Sequence, residues 1–387
     1  MPEAACAQKV VLFANTDWYL YNFRLSLIWR LRDEGFEVVL ISPPGDYGAK
    51  LQALGFRWIA LPMQRRSLNP LREAILVQHI AKLLRDEQAD LIHGFTIKPA
   101  VYGGLAGRLA GVKARVSAVA GLGWVFISPS TRARALRPVV ATLLRLALGG
   151  EGARLILQNP DDEALFARAR LVNPERVRVI KGSGVDCQRF APPESSSDAT
   201  APLRVLVAAR LLWDKGLQEY VDAARALNAS GRKVRFLLAG DPDPGNPAAV
   251  PVDTIKSWSD EGVIEWLGHV SDMPALLRSV DVVALPSYRE GLPKSLIEAA
   301  ACARALIATD APGCREVVDD GVEGLRVPVK DSAALAAAIA RLDDDRDLVR
   351  RMGEAARARA LNEFDEEIVL DATVGVYREL LATGADA

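Results

Sequence analysis

Arg210 and Lys215 stand five residues apart in AARLLWDKG (208–216), where a short apolar strand turns toward a helix. Two fixed cations beside a helix N-terminus suit a diphosphate. Glu290 and Glu298 lie eight residues apart in SYREGLPKSLIEAA (287–300). Gly291 permits a tight turn and Leu292 follows it; Pro293 suits the first helical position, and the amides near Ser295 and Leu296 would then face an anion. A carboxylate near such a cationic site accepts two hydrogen bonds from a vicinal diol. A third element, EWLGHVSDMP, ends a strand at Gly268, so exposed backbone at His269 and Val270 could meet the edge of a base. No DxD pattern in a convincing loop offers a metal site. Asp243 sits in the Pro-rich DPDPGNP and the Asp343–Asp345 run reads as a solvated turn, so the cation pair is expected to make a divalent ion unnecessary.

Elements that could hold these groups are legible. KVVLFANT (9–16) reads as a buried strand, FRLSLIWRLRDEG as a helix, EVVLISP as a strand, and the alternation continues through ADLIHGF, ARVSAVAG, RLILQN and VRVIKGSG. Strand–helix alternation implies a doubly wound parallel sheet. The polar segment ESSSDATAP (194–202) breaks the rhythm, and it restarts with LRVLVAA, VRFLLAG, VIEWLG, DVVALP, ALIAT and GLRV. The expected organisation is a Rossmann-like domain over 1–195, a second over 203–362, and a final helix within 363–387. Ligands in such sheets lie beyond the carboxyl ends of the strands. That directs attention in the first half to Asn15 after the first strand, to Arg24, placed with Asn22 and Phe23 at the opening of the first helix, and to His93 near the end of its strand. Arg65 and Arg66, before SLNPL, could grip an acceptor anion. Trp18 and Trp124 read as core or as acceptor platforms, with core the default.

Net charge is −1 over 387 residues, but residues 1–195 carry 26 Lys and Arg against 17 Asp and Glu, and the remainder 22 against 32. Leu91 to Gly150 contains no acidic residue. Such a field attracts anionic partners. Arg132, Arg134 and Arg137 precede an apolar run in SPSTRARALRPVVATLLRLALGG (128–150), which is too short and too charged to span a bilayer but could lie on an anionic membrane. Without interleaved aromatics or a recognisable module, nucleic acid is not an expected partner. Four scattered cysteines show no metal or redox spacing, and no signal peptide is evident, so a cytoplasmic setting is expected. VVLFANTDW lacks the glycine fingerprint of a dinucleotide dehydrogenase.

The three C-terminal elements, in this order, resemble the retaining family 4, or group 1, glycosyltransferases, whose hallmark is Glu, seven residues, Glu. VIKGSGVDCQRF (179–190) is similar to the interdomain segment of that family, and NTDWYLYNFRLSL, RSLNPL and AGLGWVF resemble its capsule and lipid-linked-oligosaccharide branch. The resemblance covers essentially the whole chain. It implies a GT-B fold of two Rossmann-like domains facing across a cleft, with the last helix crossing back to the first domain. It also implies a UDP-sugar as substrate and no separate cofactor. Glu298 would hold the ribose, Glu290 the sugar hydroxyls, and Arg210 with Lys215 the diphosphate. The branch further implies a polyprenyl-diphosphate-linked glycan acceptor, sometimes with N-acetylated sugars, on the inner face of the cell membrane. One departure is that the strand end carrying a histidine in many members reads Ala118-Val119-Ala120-Gly121 here, so no imidazole is available there. A sugar-nucleotide epimerase of the same architecture, a transferase with a soluble acceptor, and a non-catalytic nucleotide-sugar binder remain alternatives. Intact Arg210, Lys215, Glu290 and Glu298 weigh against the last.

Overall fold

A computed structural model describes residues 7–64, 69–119, 131–194, 200–243 and 245–383. Its contacts divide the chain into two units, 1–183 with 369–387, and 184–368.

The first unit is built on a seven-stranded parallel sheet, β1 (Lys9–Phe13), β2 (Glu37–Ser42), β3 (Arg57–Ala60), β4 (Leu91–Phe95), β5 (Ala114–Ala118), β6 (Ala153–Leu157) and β7 (Val177–Val179), in the order β3-β2-β1-β4-β5-β6-β7. β1 and β4 are apolar and almost wholly buried, as strands covered on both faces must be. Crossover helices are α1 (Asp17–Asp33), α2 (Gly48–Ala53), α3 (Pro70–Asp86), α4 (Ile97–Ala110), α5 (Thr131–Leu148) and α6 (Pro160–Arg168). α1 begins well before Asn22–Arg24. Thr16 caps it by accepting from the Tyr19 amide, and the Asp17 carboxylate accepts from the Trp18, Tyr47 and Gly48 amides. The expected anion-receiving helix opening at Asn22–Arg24 is therefore corrected, because those residues lie in the second turn and the true start is occupied by the protein's own groups. Trp18, read as core, is 44% exposed; Trp124 falls outside the described residues.

Several cations of the acid-free stretch serve helix ends. Arg108 donates to the Leu146 carbonyl, Arg115 to those of Val112 and Gly149, and Arg145 to those of Ala169 and Arg170. Cations there satisfy carbonyls that a helix C-terminus leaves without partners.

The second unit holds a six-stranded parallel sheet, β8 (Arg204–Ala208), β9 (Arg235–Ala239), β10 (Glu265–Gly268), β11 (Val282–Leu285), β12 (Ala305–Thr309) and β13 (Gly324–Val327), in the order β10-β9-β8-β11-β12-β13. Helices α7 (Leu217–Ala229), α8 (Val252–Asp260), α9 (Met273–Arg278), α10 (Lys294–Ala301), α11 (Ser332–Asp344) and α12 (Arg346–Arg359) accompany it. Residues 184–194, assigned from the sequence to the first domain, pack with the second. Val185, Cys187 and Phe190 enter its core, and the Val185 amide bonds to the Phe364 carbonyl. The polar Ser-rich segment marks a loop, while the change of unit follows where the apolar residues are buried.

After a π-turn over Ala360–Phe364 comes α13 (Glu366–Thr383). Its Val369, Leu370, Val374, Val376, Tyr377 and Leu380 complete the core of the first unit beside Leu20, Leu27 and Leu31 of α1.

Candidate functional site

Both sheets reverse strand order beside their first strand. In the second unit the reversal falls between β8 and β11, the position beyond which open parallel sheets hold their ligands. β8 leads to Arg210, then through a single 3-10 turn (Trp213–Lys215) to Lys215 and α7. Gly216, at the joint, has φ +70°. A Cβ there would lie 2.1 Å from the Pro286 carbonyl oxygen. Gly216→Ala is expected to destabilise the second unit by about 2 kcal/mol or more, from left-handed strain plus the clash. A urea midpoint equal to that of the parent would contradict this reading of the joint.

β11 leads to Glu290. The Glu290 amide donates to the Pro312 carbonyl at 3.0 Å. Gly313 comes so close that a Cβ would meet the Glu290 carbonyl oxygen at 2.5 Å. The loop after β12 thus supports the loop after β11. The Lys215 Nζ donates to Glu290 Oε1 at 2.5 Å, with each side chain only 14% exposed. Arg210 is more open, 60% exposed, and lies 3.5 Å from Asp243 in the loop after β9. His269, beyond β10, is exposed and pairs through Nδ1 with Asp241 at 2.8 Å. Val270 is half-buried against the core.

α10 starts one residue later than the sequence suggested, with Pro293 as its N-cap. The Leu296 amide is corrected as an anion donor, because it bonds to the Pro293 carbonyl at 3.1 Å in a tightened first turn. Ser295 is half-buried in that turn, Leu292 packs against the core, and Gly291 is half-buried beside it. Glu298 follows one turn on, 15% exposed and 3.8 Å from Lys294 Nζ. Burial lifts its carboxyl to about 7, against the opposing pull of the Lys294 and Arg189 charges. A carboxylate held this dry binds an arriving hydroxyl pair without first shedding much water.

Comparison with known proteins decides the family. Residues 202–345 match the family model described as glycosyl transferases group 1, and residues 9–159 the one described as glycosyl transferase 4-like. The chain is 30% identical over 94% of its length to the Campylobacter jejuni N,N'-diacetylbacillosaminyl-diphospho-undecaprenol alpha-1,3-N-acetylgalactosaminyltransferase, covering 96% of that protein. It belongs to the group 1 glycosyltransferases. A second relative, 25% identical with 91% of each chain covered, is the Escherichia coli UDP-Gal:alpha-D-GlcNAc-diphosphoundecaprenol alpha-1,3-galactosyltransferase. Among solved structures, sucrose-phosphate synthase from Thermosynechococcus elongatus superposes with a TM-score of 0.80 at 20% identity, covering 97% of this chain and all of that one. Anabaena HepE in complex with UDP gives 0.75 at 21%, covering 96% of this chain and all of that one. The fold of this glycosyltransferase is GT-B.

Lys215, Glu290 and the start of α10 come together in the glycosyltransferase, with Arg210 and His269 along the same sheet edge. Sequence reasoning missed Asp241 as the partner of His269, and also the Pro312–Gly313 support. Each joins loops far apart in the chain, and APGC carries only a weak turn signal. In the first unit His93 is not at a surface. It is the third residue of β4, fully buried, and its Nδ1 bonds with the Tyr377 hydroxyl. Asn15 is half-buried in the loop between β1 and α1. Arg24 is 6% exposed. Arg65, Arg66 and the side chain of Arg132 lie outside the described residues; Arg134 is exposed and Arg137 half-buried on α5. No described helix is long and apolar enough to cross a membrane.

Proposed function

We propose that this glycosyltransferase moves a hexose or N-acetylhexosamine from a UDP-sugar to a polyprenyl-diphosphate-linked glycan, with retention of anomeric configuration and without a metal ion. The observation that carries the donor half is the strand reversal between β8 and β11, where Glu290 holds Lys215 and a buried Glu298 lies one turn into α10. Arg210 and Lys215 neutralise the leaving diphosphate, and the first turn of α10 adds backbone dipoles. Glu298 accepts the ribose diol. Glu290 orients Lys215 and meets the sugar hydroxyls. His269 and Val270 border the base through their backbone.

The acceptor half rests on the two undecaprenol-diphosphate relatives. It is consistent with the exposed apolar Leu71 and Ile75 on α3, beside a cavity of about 290 Å³ that Arg72 and His79 help to line. This face, with Arg134 and Arg137 of α5, would rest on the anionic inner surface of the cell membrane. That is a peripheral cytoplasmic placement.

The test is transfer from UDP-GalNAc, UDP-Gal, UDP-GlcNAc or UDP-Glc to a synthetic prenyl-diphosphate glycan, run in excess chelator. Full turnover is expected with one of these donors, and the anomeric proton coupling of the product should match that of the donor. Activity lost to chelator and restored by magnesium or manganese would overturn the metal-free reading. Transfer to free sugars alone would overturn the lipid-linked acceptor.

A further inference from the structure

The first sheet also reverses strand order, between β1 and β4, and the crevice expected there is flanked by a cation with no counter-charge. Arg24, on the helix that follows β1, is 94% buried by its 6% exposure. Among the described residues its guanidinium makes one hydrogen bond, from Nη2 to the Tyr19 hydroxyl at 2.9 Å, and its Nε has no partner. No described carboxylate lies within ion-pair distance. The walls are π-faces, with the guanidinium carbon 4.5 Å from the centre of the Phe95 ring and 5.5 Å from that of Tyr19. His93, tilted at 39° against Phe95 with ring centres 4.0 Å apart, gives no compensation, since its ring stays neutral through burial and the neighbouring Arg24 charge. The Tyr377 hydroxyl of α13 bonds with Nδ1 of that ring.

The side chain runs back along α1 toward Tyr19 in the first turn, as long helical side chains do. That is the direction of the carboxyl edge of β1 and β4. A buried charge left unpaired lowers stability and is kept only where something else compensates it. Aromatic faces return part of that cost, but not the in-plane hydrogen bonds that a guanidinium fork makes to oxyanions.

We propose that Arg24 is a phosphate-oxyanion subsite of the first unit, separate from the donor crevice, and that it takes a phosphate of the acceptor's diphosphate. The choice of source rests on the acceptor reading above; the oxyanion chemistry does not.

Arg24→Met, similar in length and neutral, tests this with UDP held at saturation so that the donor crevice is filled. Inorganic pyrophosphate is expected to raise the Tm of the parent and not that of the variant, while the shift produced by UDP persists in both. The donor-free variant should melt higher than the parent, because an apolar chain replaces an uncompensated charge. Its KM for a prenyl-diphosphate glycan should rise roughly 10- to 100-fold, the range of one charge-assisted hydrogen bond. An equal pyrophosphate shift in parent and variant would overturn the proposal, as would a lower Tm with unchanged acceptor KM. If Arg24→Met does not fold, Arg24→Lys decides: a raised acceptor KM at unchanged Tm supports the subsite, and an unchanged KM overturns it. A protein that binds pyrophosphate through Arg24 yet glycosylates only soluble sugars keeps the anion site and loses the lipid-linked source.

Discussion

Lys215→Met is expected to lower kcat by roughly 100- to 1,000-fold and to change the dissociation constant of UDP-sugar far less. That is the magnitude seen when one preorganised group facing developing charge is removed from a dry site. The ammonium is placed by three independent constraints: the strand end that delivers it, the left-handed joint at Gly216, and the bond to Glu290. Its position is therefore set before a donor arrives, and on the proposed reading its interaction would strengthen as the bridging oxygen gains charge. An interaction gained mainly in the transition state appears in kcat rather than in binding. Single-turnover rates and donor titration separate the two quantities. A variant with the parent's single-turnover rate would remove Lys215 from the leaving-group site. Melting curves control for folding, since the Glu290 carboxylate loses its partner in this variant.

Glu298→Ala is expected to have the opposite profile, with donor affinity falling by about 100-fold or more, the effect of two lost hydrogen bonds to a charged acceptor. Its raised carboxyl adds a pH signature. Burial holds that group near 7, so it is mostly protonated at pH 6 and has lost part of its acceptor capacity. Donor affinity in the parent should improve by up to about tenfold per unit as pH rises toward 7, then level off. Glu298→Gln should flatten that dependence. Stability moves the other way. A carboxyl whose folded value lies above its unfolded one contributes fully below about pH 4.5 and loses that contribution as pH rises through 7. Donor-free Glu298→Gln should therefore match the parent near pH 4 and exceed it at pH 8 by on the order of 2–3 kcal/mol. A parent whose donor affinity is flat from pH 5.5 to 8 would remove Glu298 from the diol site.

The grouping of residues at the β8–β11 reversal was largely legible because the pattern is local. Arg210 with Lys215, and Glu290 with Glu298, each sit within one strand–turn–helix unit, so spacing alone places Arg210, Lys215 and Glu290 beyond strand ends and Glu298 in the helix that follows. The strand alternation was equally legible, since buried parallel strands are short apolar runs. What escaped was long-range or masked by composition. The bond between His93 and Tyr377 links residues 284 positions apart, and no local pattern announces it. The start of α1 was misplaced because DWYLYN is aromatic on all sides and hides helical periodicity, although Thr16 before Asp17 is a sound cap signal. The unit boundary was drawn at the serine-rich stretch because composition changes there. The burial of Val185, Cys187 and Phe190, which sets the boundary, depends on partners such as Phe364 that lie far downstream.

The final helix has a consequence for biosynthesis. The first unit is interrupted by residues 184–368 and completed only by Val369 onward. At translation speeds of about 5–20 residues per second, the ribosome works for roughly 10–40 s between finishing β7 and making Tyr377. Through that interval the apolar faces of α1 that α13 will cover, at Leu20, Leu27 and Leu31, have no covering helix. The second unit, continuous in the chain, can close while still tethered; the first cannot. A nascent chain arrested before residue 369 should therefore recruit a holdase chaperone through its N-terminal half, and release it once the last helix emerges.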